Sequence, residues 1–252
     1  MICIPIAAEQ TGAAIEMMER AMPLADLVEF RIDRMRNPEM ERLLGVRRTP
    51  VIVTNRRREE GGGFSGTEEE RMALLLEAAR LGADYVDIET ETAPALKEEL
   101  RRVCARGKTK RISSWHDVSG TPAAAFLKRK LAACMADGPD IVKIVAHAGE
   151  AADSLRILEL IPYARQRGQA IIAFGMGEAG RISRIMAPLL GSAISYAPLE
   201  PEEASAPGQL TARRMREILS VLQDLVPAVT EYPYSNASPR RGGGGRREGH
   251  RR

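Results

Sequence analysis

Eight short runs rich in β-branched and aromatic residues recur along the chain with helical stretches between them, and this alternation restricts the fold more than any other feature. The runs are ICIPI, DLVEFRI, PVIVT, DYVDIE, RISSW, DIVKIVA, AIIAF and AISYA. Helical periodicity marks Glu68–Leu81, Pro94–Ala105, Pro122–Ala136, Ala151–Gln166 and Thr211–Val226, while Pro38–Leu44 supports only a short helix. Strand, helix, strand repeated in this way implies parallel pairing, because the crossover helix returns the chain to the same end of the sheet. A doubly wound sheet satisfies the same alternation. Eight units in about 230 residues, with no composition break to mark a second domain, fit a closed ring better. The expected fold is α/β, a single eightfold parallel β/α (TIM) barrel over residues 1–228, followed by an extension over residues 229–252.

Composition matters chiefly in that extension. The stretch PRRGGGGRREGHRR, from residue 239 on, has no apolar residue to bury, so disorder is expected there. It holds six Arg and one Glu, a balance of +5 within a chain of net charge +3, which leaves the body at −2. Nothing in the body therefore calls for a nucleic-acid partner, and binding of nucleic acid through the Arg-rich tail stands only as a rival reading. Cys3, Cys104 and Cys134 are odd in number and form no CxxC pair, which argues for free thiols and against disulfides or a zinc site. No secretory segment and no apolar run near the ~18 residues of a membrane span is present, so a cytoplasmic protein without membrane contact is expected.

Side chains alternate across a strand, so Val28, Phe30 and Ile32 share one face and Glu29, Arg31 and Asp33 the other. The apolar set must meet the helices. The charged set then faces the barrel axis, as do Asp87 and Glu89 in DYVDIE. Thr54 and Arg56 end the third strand, Ser114 and His116 the fifth, and Lys143 is the one charged residue within the apolar IVKIVA. Any one of these could be a structural ion pair. Five strands each delivering an ionisable group near the C-terminal end is the arrangement of a barrel enzyme's site.

An amine in an apolar pocket loses solvation, its pKa falls, and it becomes able to attack a ketone and form an imine. Lys143 is read as that amine. His116, on the neighbouring strand, is the candidate general base, with Glu89 expected to orient it. His147, four residues beyond the lysine, is set aside as a decoy, and His250 lies in the tail. The GxGxxG of Gly175, Gly177 and Gly180 resembles a dinucleotide fingerprint but falls in the seventh unit, where that role is not expected. It reads instead as a loop opening a helix whose N-terminus, with Arg184, holds an anion such as a carboxylate. The glycines of EEGGGFSG, Gly61 to Gly63 and Gly66, lack the ending of a phosphate loop and read as a turn.

Together these segments resemble the type I 3-dehydroquinate dehydratases. The resemblance rests on EFRID (Glu29–Asp33), TxRxxxEGG (Thr54–Gly62), DIE (Asp87–Glu89), SWHD followed by TP (Ser114–Pro122), VKI (Val142–Ile144), GxISR (Gly180–Arg184) and ASAPGQ (Ala204–Gln209), over residues 2 to about 225. It implies a β/α barrel without cofactor or metal that removes water from 3-dehydroquinate to give 3-dehydroshikimate. By position it implies that Lys143 forms the imine with the C3 ketone. His116 then removes a C2 proton and protonates the departing C1 hydroxyl, and Glu89 orients His116. Arg184 would hold the substrate carboxylate, Glu29, Arg31 and Arg56 the ring hydroxyls, and Ser205 and Gln209 would close over the substrate. A homodimer is the assembly the resemblance suggests. Val118 stands where many members have Phe and Phe174 where Met is common, so the apolar wall is expected to be reshaped. The leading hairpin of some members is absent ahead of the first strand, and the tail has no counterpart. A class I aldolase-type lyase shares the barrel and the imine lysine, but Arg184 with Glu29 and Arg56 suits a carboxylate and hydroxyls better than a sugar phosphate.

Overall fold

The computed structural model describes residues 1–204, 206 and 208–223. Its strands are β1 (Ile2–Ile6), β2 (Leu27–Arg31), β3 (Val51–Thr54), β4 (Tyr85–Glu89), β5 (Lys110–Asp117), β6 (Ile141–His147), β7 (Ala170–Met176) and β8 (Ser195–Tyr196). They form one sheet in the order β7-β6-β5-β4-β3-β2-β1-β8, every pair parallel. The Ala193 N–H donates to the Ile171 carbonyl at 2.8 Å and draws the β8 end back to β7, so the sheet is a nearly closed barrel. This is the eightfold β/α barrel expected from the alternation.

Outside the sheet lie α1 (Thr11–Ala21), α2 (Met40–Gly45), α3 (Glu68–Arg80), α4 (Pro94–Arg106), α5 (Ala124–Ala136), α6 (Ala151–Leu158), α7 (Leu160–Arg165), α8 (Arg181–Leu190) and α9 (Ala212–Gln223). The continuous helix expected over Ala151–Gln166 is two. Pro162 has no N–H to give to Leu158 and its ring crowds that carbonyl, so the helix breaks at Glu159. α3 opens on a reciprocal cap in which Thr67 accepts from the Glu70 N–H while Glu70 accepts from the Thr67 N–H. The proposed extension, 229–252, lies outside the described residues.

Two cores result. Val28, Phe30 and Ile32 face outward and pack with Met18, Leu43 and Leu75 of the surrounding helices, as the alternation requires. Inside the barrel, Cys3, Leu27, Ile52, Ile112, Ile141 and Ile194 plug the N-terminal end of the strands. Two residues further along β2 to β6 the same inward face turns polar: Leu27 gives way to Glu29, Ile52 to Thr54, Tyr85 to Asp87, Ile112 to Ser114 and Ile141 to Lys143. The apolar plug thus forms the floor of a polar chamber.

The turn from β7 into α8 is built by close backbone approach. A Cβ on Gly180 would sit 2.5 Å from the Gly175 carbonyl carbon, and one on Gly175 would sit 3.0 Å from the Gly180 Cα. Ser183 locks the approach: its hydroxyl accepts from the Gly175 N–H at 2.7 Å and donates to the Gly180 carbonyl at 2.6 Å. The spacing that resembles a dinucleotide fingerprint is explained here by helix–strand contact. Gly180→Ala must therefore push α8 away from β7, with an expected loss of about 1–3 kcal/mol of stability. Urea denaturation of the variant measures it, and an unchanged midpoint would mean that the turn relaxes without cost.

Candidate active site

The chamber opens at the C-terminal ends of the strands into a cavity of about 300 Å³. Glu29, Arg31, Arg56, His116, Lys143, Arg184 and Gln209 all line it, so seven of the nine residues singled out in the sequence meet in one place. Glu89 lies beneath it, and Ser205 falls outside the described residues. His147, discounted on sequence, also lines the wall.

Lys143 is buried, but its surroundings are not the apolar pocket expected. Its Nζ lies 3.0 Å from Asp87 Oδ2, 3.4 Å from Glu29 Oε1 and 3.2 Å from the Tyr196 hydroxyl. Its apolar neighbours along β6, Val142 and Ile144, point to the helices. The step from apolar floor to polar chamber supplies the carboxylates. Thr54 donates to Glu29 at 2.8 Å and Ser114 to Asp87 at 2.6 Å, fixing both anions.

From Asp87 the charges alternate outward. Arg56 Nη2 lies 2.7 Å from Asp87 and its Nη1 donates to Glu89 at 2.9 Å. Arg71 donates to the other Glu89 oxygen at 2.7 Å and forms a two-bonded pair with Glu68. Burial opposes ionisation of Asp87, yet the Arg56 and Lys143 cations beside it hold its pKa far below the carboxylate range. At the rim Arg31 makes two 2.8 Å bonds to Asp33, which also accepts from the Gly63 N–H.

These bonds correct the role expected of Glu89. Its oxygens are taken by Arg56, Arg71 and the Arg57 N–H, and the partner of His116 is Glu60. Glu60 Oε2 lies 2.9 Å from His116 Nδ1 and accepts the His116 backbone N–H at 2.9 Å. Register is the reason: Glu89 on β4 pairs with Ser114 on β5, two residues below the histidine. Glu60 sits on no strand. It ends a single 3₁₀ turn, Arg58–Glu60, that folds back through Gly61 at φ +80° and Gly62, where a Cβ would meet the Arg56 carbonyl at 1.9 Å. Face alternation along strands does not reach such a residue, although the TxRxxxEGG run contains it.

Burial, reinforced by the nearby Arg56 and Lys143 cations, lowers the His116 pKa well below its usual value. Burial pushes Glu60 up to about 8, against the pull of Arg56 and with the Glu89 and Asp87 charges adding to the rise. The two groups titrate as a pair. With Glu60 ionised, Nδ1–H donates to it and the Nε2 lone pair is available; with one more proton on the pair, Nε2 carries an N–H. One site thus offers both a base form and an acid form.

Arg184, in the first turns of α8, is different from the other cations. Its Nε, Nη1 and Nη2 are buried with no hydrogen-bond partner among the described residues. Its guanidinium carbon lies 4.4 Å from the centre of the Phe174 ring. Desolvation without a counter-charge lowers its pKa to about 9. A buried guanidinium in this state has its full set of donors free to bind an anion. The site can accordingly hold an anion at one end and presents an amine at the other, with a proton relay between strand β5 and the turn after β3.

Comparison with known proteins identifies the family. Residues 2–226 match the model of the Type I 3-dehydroquinase family. The 3-dehydroquinate dehydratase of Desulfotalea psychrophila is 36% identical over 87% of this chain and 96% of its own length. That of Syntrophobacter fumaroxidans is 37% identical over 88% and 96%. The crystal structure of 3-dehydroquinate dehydratase from Geobacillus kaustophilus superposes with a TM-score of 0.81 at 29% identity, covering 88% of this chain and 91% of that one. No helix among the described residues is long and apolar enough to cross a membrane. With matches spanning nearly the full length of both relatives, the chain belongs to the type I 3-dehydroquinase family of hydro-lyases.

Proposed function

We propose that this chain removes water from 3-dehydroquinate to give 3-dehydroshikimate through an imine on Lys143. The observation that carries the reading is the presence, on one cavity, of an amine, an imidazole with a buried carboxyl partner, and a buried guanidinium with no hydrogen-bond partner among the described residues. The substrate carboxylate occupies the seat at Arg184, which brings the ring across to Lys143. Glu29, Arg31 and Arg56 meet the ring hydroxyls, and Gln209, with Ser205, covers the mouth.

Lys143 gives up a proton, attacks the C3 carbonyl and loses that oxygen as water, leaving a protonated imine. This cation acidifies the C2 hydrogen, which the Nε2 lone pair of His116 takes while Glu60 receives the Nδ1–H bond. The electron pair moves to the nitrogen as an enamine. It then returns to expel the C1 hydroxyl, which leaves as water on the proton that His116 holds. Hydrolysis of the imine consumes one water, so the sum is the loss of one. Because one imidazole first accepts and then donates, a pair that stores a single proton is what the reaction requires.

Borohydride added with 3-dehydroquinate should therefore fix the substrate on Lys143 alone, as read by peptide mass mapping. In His116→Ala the adduct should still form, while turnover falls by about 10²- to 10⁴-fold and exchange of the C2 hydrogen with solvent stops. Labelling of another lysine, or exchange at the wild-type rate in the variant, would overturn the assignment.

The pH profile follows from the two shifted groups. The base form of the His116–Glu60 pair grows as pH rises through the Glu60 value of about 8, so kcat/KM should rise there. Arg184 keeps its charge below about 9 and loses it above, so kcat/KM should fall beyond that pH through a rising KM. In Glu60→Gln the amide can donate to Nδ1 and fix the tautomer with Nε2–H, so the rising limb should vanish with most of the turnover. A variant that keeps the wild-type profile would remove Glu60 from the relay.

A further inference from the structure

Hydrogen bonds fix almost every charged group in the chamber, yet those bonds do not explain what holds Arg184. Its position rests on Phe174, whose ring lies 4.4 Å below the guanidinium carbon. Phe174 projects into the barrel from β7, and its ring centre is 5.8 Å from that of Tyr196 on β8, at an interplanar angle of 50°. Tyr196 in turn presents its ring to Lys143, with Nζ 4.4 Å from the centroid and 3.2 Å from the hydroxyl. Guanidinium, ring, ring and ammonium therefore form one continuous chain of contacts, the two rings tilted against each other, across the seam where β7 and β8 close the barrel.

We infer that Phe174 and Tyr196 act as a two-ring gauge that sets the separation between the anion seat at Arg184 and the reacting amine of Lys143, and so selects ketones whose carboxylate stands at that distance. This rests on the reading of Arg184 as a carboxylate site. The rings suit the task because each places a cation over its face without offering a counter-charge. A hydrogen-bonding anion in place of Phe174 would fill the seat that the substrate has to occupy. An aliphatic side chain would give no directional hold. Both rings are buried, so the cation–ring contacts form where water cannot compete. Phe174 touches neither Lys143 nor the His116–Glu60 pair in the contacts described above, which makes it the positioning residue of the two. Tyr196 reaches the reacting nitrogen itself.

The test is Phe174→Leu, with thermal melting to establish that it folds, Phe174→Met as a second removal of the ring, and Phe174→Tyr as the conservative rescue. For 3-dehydroquinate the Leu and Met variants should raise KM by about 5- to 30-fold, the span of a desolvated cation–π contact, with kcat changed by less than about threefold. Phe174→Tyr should restore KM. Borohydride trapping of the same ketone lacking its carboxylate should proceed equally in wild type and Phe174→Leu. Arg184→Ala is assayed alongside and reports on the carboxylate reading by itself. If Arg184→Ala raises KM and neither ring removal does, the gauge is wrong while the carboxylate seat stands. Equal losses for both ketones would reduce Phe174 to general packing and overturn the inference. An Arg184→Ala variant with unchanged KM would remove the seat and the gauge together.

Discussion

The requirement that every charge buried in the barrel be neutralised by a neighbour organises the rest of this molecule. An unpaired ion in the interior costs several kcal/mol, and the chamber holds many. Cations and anions alternate from Glu68 through Arg71, Glu89, Arg56 and Asp87 to Lys143 and Glu29. Each central member bonds to opposite charges on two sides, which turns a set of costly burials into a rigid lattice spanning β2, the loop after β3, β4, β6 and α3. Arg184 is outside that lattice. It enters from a helix, is matched by a ring instead of a carboxylate, and is the cation whose pKa burial has driven down to about 9. Among the described residues, this guanidinium is the buried cation left without a hydrogen-bonding partner, and in the proposed reaction its preference for one more negative charge would position the substrate before any chemistry begins.

How far the sequence discloses this depends on which physical rule governs each residue. Alternation along a strand is a local rule, so the inward set of Glu29, Arg56, His116 and Lys143 was readable, as was the outward set of Val28, Phe30 and Ile32. Register between strands is not local. Glu89 and His116 are both near strand ends and both point inward, but the barrel's stagger places Glu89 against Ser114, and its carboxylate goes to Arg56. Glu60 escaped because a 3₁₀ turn carries it, where no period-two pattern operates. The surroundings of Lys143 depart from its sequence context for a related reason: its sequence neighbours are apolar, whereas its spatial neighbours, Asp87, Glu29 and Tyr196, come from three other strands. The break at Glu159 was legible in principle, since Pro162 stood in the expected helix.

Glycines do comparable work at the mouth. Gly177 adopts φ +83° and Gly208 φ +80°, and a Cβ on Gly208 would meet the Gly177 carbonyl at 2.1 Å. The loop after β8 therefore rests directly on the loop after β7. The first of these carries Gln209 and the second leads to Arg184, so these two cavity-lining residues are held in mutual register by backbone contact. Side chains at these glycines would separate the two loops and, with them, two parts of one site.

The lattice also bears on why an imine suits this chamber. In the proposed reaction the ammonium of Lys143 becomes a protonated imine, and both place one positive charge at the same nitrogen between Asp87 and Glu29. The carboxylates that make the resting amine tolerable therefore serve the intermediate equally, and by themselves they do not favour one over the other. Discrimination has to arise where charge moves. When the C2 proton leaves, the positive charge passes from the nitrogen to the imidazole, and there the Glu60 carboxylate, raised to about 8, is the group that answers it. A carboxyl already strongly ionised would bind the imidazolium tightly and hold back the proton needed at the C1 hydroxyl. One that ionises near neutrality gains most from the charge at the moment it arrives and gives it up at little cost. In the proposed reaction, the burial that makes Glu60 hard to ionise is thus what would let a single histidine act first as base and then as acid.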